Sequence, residues 1–411
     1  VKIKFYKEPY PNILFYYGAL LTNIFLGWVL AKLNTQYLQV AAYGQFSFFI
    51  TFVLLGRSFF DFGVFESISR LLAVNRDKSE EKKLIGTSLF WAVIFALFSV
   101  LILFITSGFV DSFFQVKIGI LCQDFSYAIG LFVLVSHLSR VLRGSGRINT
   151  LGIITITPRF IYLILLIVVI LYGRFTLHMT LTMMFWGILL TLIFVWIYLK
   201  PSFNMIKSKS IQIWKEAKSY GSNVFIGTMW AEILIHADKF IISYFLDSQA
   251  LAYYALAFTL AYPLSHFSTS LATSLFKQFA TDQKINQKLS RGNLIFVSIS
   301  VILFILLRKP IIHYLFSDHY IPTIALLLPL ALAFGFSGLS KPYVLFLMAH
   351  KQGKIVRNIS IFIPSTQIII SIIVIPIFGI LGVAWVTCFV YALDFLLFLI
   401  EYKRVVKFKV L

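Results

Sequence analysis

Apolar residues run in blocks of about twenty along this chain, with short polar breaks between them and no two-residue alternation inside them. Only helices and closed barrels satisfy their main-chain polar groups in lipid, and a barrel strand shows alternation over about ten residues. The pattern therefore predicts spanning helices. The blocks fall at 13–33, 45–69, 84–106, 118–139, 148–172 and 176–199. After a polar stretch from Lys200 to Lys218 they resume at 219–246, 251–276, 292–307, 321–349, 358–377 and 381–400. This reads as an all-α integral membrane protein of twelve transmembrane helices in two six-helix lobes, 1–200 and 219–411, joined by a linker at 201–218. The 321–349 block is long enough to be tilted or broken at Pro342.

Composition agrees with that reading. Of 411 residues, 59% are apolar and 13% charged, whereas soluble proteins carry roughly 25% charged residues. Twelve crossings leave no room for a soluble catalytic domain. The net charge of +20 would suggest nucleic acid in a soluble chain, but its distribution assigns it to topology. Lys and Arg crowd into alternate connections, at 1–7, 70–83, 140–147, 200–218, 277–291, 351–357 and 403–409. The opposite connections hold Lys32, Lys117, Arg174, Arg308 and Lys309. Positive segments stay in the cytoplasm, so both termini are expected there, with the basic surplus meeting anionic lipid and no nucleic acid. Tyr16, Tyr17, Trp196 and Tyr402 read as aromatic anchors at the interfaces. Cys122 and Cys388 are far apart inside apolar blocks, which excludes a disulfide framework and a cysteine metal site, and no cofactor is expected.

The chain also carries an internal echo. Gln39-Val40-Ala41-Ala42-Tyr43, at the outer start of the second span, matches Gln249-Ala250-Leu251-Ala252-Tyr253 at the outer start of the eighth. Halves with an even number of spans form parallel repeats about an axis along the membrane normal, with a shared site expected near their interface.

Several stretches together resemble the polysaccharide-biosynthesis flippases. They are Ala42-Tyr43-Gly44-Gln45-Phe46-Ser47; Asp61-Phe62-Gly63 with Ser67, Arg70 and Leu72-Ala73; Lys83-Leu84-Ile85-Gly86-Thr87-Ser88; Asp238-Lys239; and Ala252-Tyr253-Tyr254-Ala255. That O-antigen and capsule type of flippase lies within the multidrug, oligosaccharidyl-lipid and polysaccharide exporter superfamily. The resemblance implies a V-shaped, two-lobed transporter of the bacterial cytoplasmic (inner) membrane. It would move an undecaprenyl-diphosphate-linked oligosaccharide outward by alternating access. Its implied partners are that polyprenyl-diphosphate-linked glycan, membrane lipids and other polysaccharide assembly proteins. Lipid II flippases of the same superfamily usually have two further spans, which sets that branch apart.

Charges inside the spans carry the candidate chemistry. Arg57, Arg159 and Lys239 fall near the middle of spans two, five and seven, and Lys341 lies in the cytoplasmic part of span ten. At about 2.5 to 3.5 kcal/mol each, such groups need water, partners or substrate. A diphosphate would suit them, because guanidinium binds phosphate oxygens in a fork and lysine offers a point charge. Internal ion pairs are the alternative: Arg57 with Asp61 and Glu66 with Arg70, each four apart, and Lys239 with Glu232 seven back. Arg159 has no acidic neighbour within a turn and follows Pro158, so it is the foremost cavity cation, with lobe packing as its other role. Lys341 can snorkel to the surface. Asp61, Glu232, His236, Asp238 and Asp394 are candidates for coupling H+ or Na+ or for a polar cavity wall. Pro158, Pro263, Pro342 and Pro364 lie within spans as bending points or static kinks.

Two other functions compete. A cation-coupled multidrug antiporter would share the fold. A membrane-embedded polysaccharide polymerase or glycosyltransferase would need a large outer loop or an acidic metal motif, and the outer connections are short. No Gly-rich nucleotide loop occurs in the cytoplasmic segments, which argues against ATP-driven pumping by this chain. As a flippase the chain is expected to make and break no covalent bond.

Overall fold

The computed structural model describes residues 10–75, 77–173, 175–279, 282–350 and 352–410. Lys2, Lys4, Lys7, Arg76, Arg174 and Lys351 of the charge pattern lie outside the described residues, as do the side chains of Tyr16, Tyr17, Lys277 and Lys409. The regular elements among the described residues are all helical. The first half runs α1 (Tyr10–Tyr37), α2 (Val40–Ser58), α3 (Val64–Val74), α4 (Lys78–Phe113), α5 (Gly119–Asp124), α6 (Tyr127–Gly144), α7 (Ile148–Leu171) and α8 (Leu177–Leu199). There follow α9 (Ile206–Glu216), α10 (Ser222–Phe245), α11 (Ser248–Ala261), α12 (His266–Ser274), α13 (Phe276–Phe279), α14 (Gln287–Leu315), α15 (Thr323–Ala349) and α16 (Gly353–Val410). Polar residues start several of them. Thr176 accepts from the Met179 N–H, Asp247 from Ala250 and Asn286 from Lys288, each satisfying a donor the first turn leaves open.

Among the described residues, α2, α4, α7, α8, α14, α15 and α16 are long and apolar enough to cross a bilayer, which makes this a multi-pass membrane protein. Their outward faces carry large apolar side chains such as Ile197 (70% exposed) and Leu306 (71%), as lipid-facing helices require.

Several predicted blocks are interrupted. The 45–69 block stops at Ser58, turns through Phe62 and Gly63, both at positive φ, and resumes as α3. Asp61 is therefore not on the helix that carries Arg57. The 118–139 block divides into α5 and α6. In the 251–276 block, Pro263 replaces the helix with a 3₁₀ turn over Tyr262–Ser265 before α12 begins, since proline removes an N–H and crowds the preceding turn. By contrast α15 passes unbroken through Pro329 and Pro342. The last two blocks share α16, which breaks at Gly379 (φ 57°, ψ −149°), a conformation open mainly to glycine. Ile359 and Ile363 before the break pack with Val386, Val390 and Phe398 after it, so α16 folds back on itself.

The described chain forms two compact units. The first comprises Val1–Leu30, Val53–Gly108 and Gly119–Ile226. Within it, Gly187 of α8 sits on the Pro158 carbonyl, where an added Cβ would stand 2.6 Å from the oxygen. Small residues permit such close helix contact in a membrane. Trp91 donates to Ser210 at 2.9 Å, and Lys209 bridges Glu80, seating α9 on α4. The second unit comprises Ala31–Phe52, Phe109–Ile118 and Gly227–Leu411. Its core follows the buried side of α15, including Leu326, Leu330 and Phe334. Phe48, Phe114 and Phe240 form an edge-to-face cluster. Tyr43 and Tyr253, equivalent positions of the two echo segments, both meet the ring of buried Tyr320 edge-on, at 6.0 and 6.1 Å.

Candidate functional site

Helix α10 presents its polar residues in two directions. Asp238 is buried (3% exposed) in the second unit and gathers side chains from α11 and both arms of α16. Tyr254 and Gln367 donate to its two carboxylate oxygens, and the Thr387 hydroxyl lies 2.8 Å from Oδ2. Thr387 also lies 2.9 Å from the Val383 carbonyl, so its single proton serves one acceptor at a time. The buried Gln367 Oε1 and, one turn along the same helix, Ser371 Oγ have no hydrogen-bond partner among the described residues. The carboxylate is thus surrounded by two hydroxyls and one amide N–H, with Gln367 Oε1 and Ser371 Oγ as unpartnered neutral oxygens on the same arm of α16.

On the neighbouring face of α10, Glu232 and His236 meet at 3.5 Å. Tyr262 lies in the field of Glu232 and packs edge-on against His266 at 4.7 Å. Lys239 Nζ stands 4.8 Å over the Phe258 ring, a cation–π contact. Asp394 accepts from Ser340 and lies in the field of Lys341, so that lysine has an acidic neighbour from α16.

The first unit holds the remaining cations. Asp61, which one of the two readings of Arg57 paired with it along a helix, lies beyond the end of α2 and accepts the Phe65 N–H at 2.9 Å through Oδ1, bonding to the first turn of α3. Charged groups around it are Arg140, Glu66 and Arg57. Glu66 and Arg70 also part from the intrahelical expectation: Glu66 bridges Arg140 at 2.9 Å and Arg70 bridges Glu216 at 2.5 Å. The physical reason is that α3 is short and lies between α6 and the α9 region, so better-placed charges arrive from those elements. Arg159 Nη1 donates to the main-chain oxygen of Asn23 at 2.6 Å. The guanidinium fills the notch at Gly27, where a Cβ would stand 2.7 Å from Nη1. Among the described residues no carboxylate bridges Arg159.

A family model for polysaccharide biosynthesis proteins matches residues 11–281. The chain belongs to the polysaccharide biosynthesis protein family. No curated protein gave a sequence match. Among solved structures this polysaccharide biosynthesis protein is similar to the lipid II flippase MurJ in an inward closed conformation. The identity is 18% and the TM-score 0.78, over 95% of this chain and 87% of that one. It is also similar to an inward-facing multidrug resistance MATE transporter of the MOP superfamily, with 14% identity and a TM-score of 0.75, over 93% of this chain and 95% of that one. A third is a MOP superfamily transporter from Pyrococcus furiosus, with 12% identity and a TM-score of 0.60, over 96% and 94%. The fold is that of the MOP superfamily transporters.

In this family member the uncharged partners of Asp238 are the residues that charge-based reading passes over. Tyr254, Gln367 and Thr387 carry no formal charge. The available signal was the Gln367–Ser371 pair, four apart within an apolar block, since a glutamine deep in a span needs a reason to be there.

Proposed function

We propose that this polysaccharide biosynthesis protein is a flippase for a polyprenyl-diphosphate-linked oligosaccharide of the O-antigen or capsule type, carried on undecaprenyl in a bacterial cytoplasmic membrane. Twelve crossings in two six-helix lobes, 1–200 and 219–411, linked by 201–218, would alternate access to a cavity between the leaflets, with both termini cytoplasmic. The observation that carries the reading is Arg159, a guanidinium midway along an apolar helix that is held by a main-chain oxygen rather than a carboxylate. It keeps its full charge and further N–H donors for a diphosphate oxygen. Arg57, Lys239 and Lys341 supply further positive charge, each tempered by its surroundings.

The Asp238 cage supports coupling to an inward cation gradient, with Glu232, His236, Asp61 and Asp394 as the other acidic or titrating groups of the pathway. A cation-coupled multidrug antiporter is the second reading, favoured by the MATE-like fold. Deletion of the chain separates the two: a flippase loss strands precursor glycolipid on the cytoplasmic leaflet, and an antiporter loss raises drug sensitivity without stranding it. Stranded glycolipid that Arg159→Ala reproduces supports the flippase; normal glycan export in that variant removes Arg159 from the substrate path.

A further inference from the structure

A cavity of about 590 Å³ opens at the end of α8, away from the groups assigned above. Lys82 from the first turns of α4, Arg147 at the start of α7 and Lys200 at the end of α8 line it, with Phe194, Ile197 and Tyr198 along its flank. The three cations come from distant parts of the chain, and the main chain holds them in place. The Ser202 N–H donates to the Lys82 carbonyl at 3.0 Å, and Gly86 lets the Ser202 backbone lie where any Cβ would collide with it. Lys200 closes α8 in a left-handed conformation (φ 47°, ψ 61°), so the chain turns sharply at that residue. One acid attends the group: Glu81 accepts from Arg147 Nη2 at 2.7 Å. The local balance remains positive.

The flank has the opposite character. Phe194, Ile197 and Tyr198 are 66%, 70% and 59% exposed on a helix that faces lipid. A soluble anion would use the cations and ignore this apolar wall. An amphiphile uses both, setting its phosphates among Lys82, Arg147 and Lys200 and its acyl chains along α8. Basic pockets of this kind at the cytoplasmic ends of membrane helices bind anionic head groups.

We propose that this pocket binds an anionic phospholipid of the cytoplasmic leaflet, preferring a head group with two phosphates over one with a single phosphate, because one Glu81 leaves a local surplus of two positive charges. The site lies on one unit and is independent of the transported cargo.

The test uses purified full-length protein in neutral detergent, titrated with a cardiolipin, a phosphatidylglycerol, a phosphatidylcholine, undecaprenyl diphosphate and inorganic diphosphate, with lipid retention read by native mass spectrometry. Expected are retention in the order cardiolipin, phosphatidylglycerol, phosphatidylcholine, and no competition by inorganic diphosphate. Lys200→Gln should weaken cardiolipin about fivefold, with a similar factor for each further charge removed. Lys288→Gln, a basic residue elsewhere, should change nothing. Lys82→Gln provides a second variant that leaves the Arg147–Glu81 bridge intact, so the result does not rest on one fold-sensitive change. Equal retention of phosphatidylcholine, full competition by inorganic diphosphate, unaltered cardiolipin binding in both variants, or a loss of undecaprenyl diphosphate binding in Lys200→Gln as large as that of cardiolipin would each overturn the assignment.

Discussion

Arg159 occupies the space that Gly27 leaves empty. The two helices, α7 and α1, approach closely enough at this point that the guanidinium reaches the Asn23 carbonyl one turn away, and any side chain at position 27 would press on Nη1. The glycine thus decides where a mid-membrane positive charge is held, an arrangement no intrahelical spacing describes.

Gly27→Ala should displace the guanidinium while leaving the helices folded, because the end of a flexible side chain yields more easily than a backbone. Glycolipid export in reconstituted vesicles should fall by about tenfold, as expected for loss of a charge-assisted hydrogen bond worth about 1.5 to 3 kcal/mol. Arg159→Ala should fall at least as far, and Arg159→Lys should recover part of the rate, since lysine keeps the charge without the fork. Export unchanged in Gly27→Ala would separate the position of the guanidinium from transport.

Asp238→Asn should remove the response of the protein to its coupling cation. In the wild-type protein, melting temperature in detergent should rise with added Na+ or shift with pH according to the ion used. The asparagine variant should respond to neither, and should also lose about 1 to 3 kcal/mol from donors left without an anionic acceptor. Thr387→Val should weaken the cation response and retain part of it. A wild-type cation response that persists in Asp238→Asn would place coupling elsewhere, with Glu232 and His236 the next groups to vary.

Glu66→Gln should destabilise more than Glu216→Gln. The Glu66–Arg140 side chains are only 18% and 19% exposed, whereas Arg70 opposite Glu216 is 54% exposed. Removing one partner from a largely buried pair strands the other charge at a cost approaching about 3 kcal/mol, while exposed pairs contribute about 0 to 1 kcal/mol. Melting temperatures of the two variants, with Glu66→Gln/Arg140→Met as the paired control, measure the difference. Equal shifts would show that the surrounding helices relax around either charge.

Docking of α9 should depend on acid and salt in a defined sense. Hydrogen bonds from Lys209 and then Lys83 hold the Glu80 carboxyl down to about 2, against an ordinary value of 4.5. A depressed carboxyl favours the docked state above its ordinary value and loses that contribution as the pH falls from about 4.5 through 2. The contact should therefore be constant from pH 5 to 8, weaken in stronger acid, and loosen in about 1 M salt, where the screening length is about 3 Å. The edge-to-face pair Trp91–Trp214, at 5.4 Å, reports docking through near-ultraviolet circular dichroism. Glu80→Gln should give the loosened signal at neutral pH; a wild-type signal there would assign docking to the remaining contacts, Trp91 with Trp214 and Ser210 and Arg70 with Glu216.

How far the chain could be read in advance follows from where each energy originates. Insertion of a helix into lipid is close to a sum over its own residues, so the apolar blocks, the all-helical fold and membrane residence were legible in order along the sequence. The echo segments can be picked out there too, whereas the Tyr320 ring that Tyr43 and Tyr253 both meet cannot. Breaks at Gly63 and Gly379 were harder, because a glycine signals freedom and only packing decides whether that freedom is used. Pro263 and Pro342 make the same point, one ending its helix and the other not.

The sequence by itself determined that this protein lives in a bilayer, and it named the charges that would need an explanation there. Tertiary structure alone decided their partners: Arg140 for Glu66, Glu216 for Arg70, the α3 backbone for Asp61, three neutral side chains for Asp238 and a main-chain oxygen for Arg159. Burial in lipid depends on what a residue is, whereas compensation of its charge depends on which distant residue stands within about 3 Å, and that distance exists only once the helices have packed.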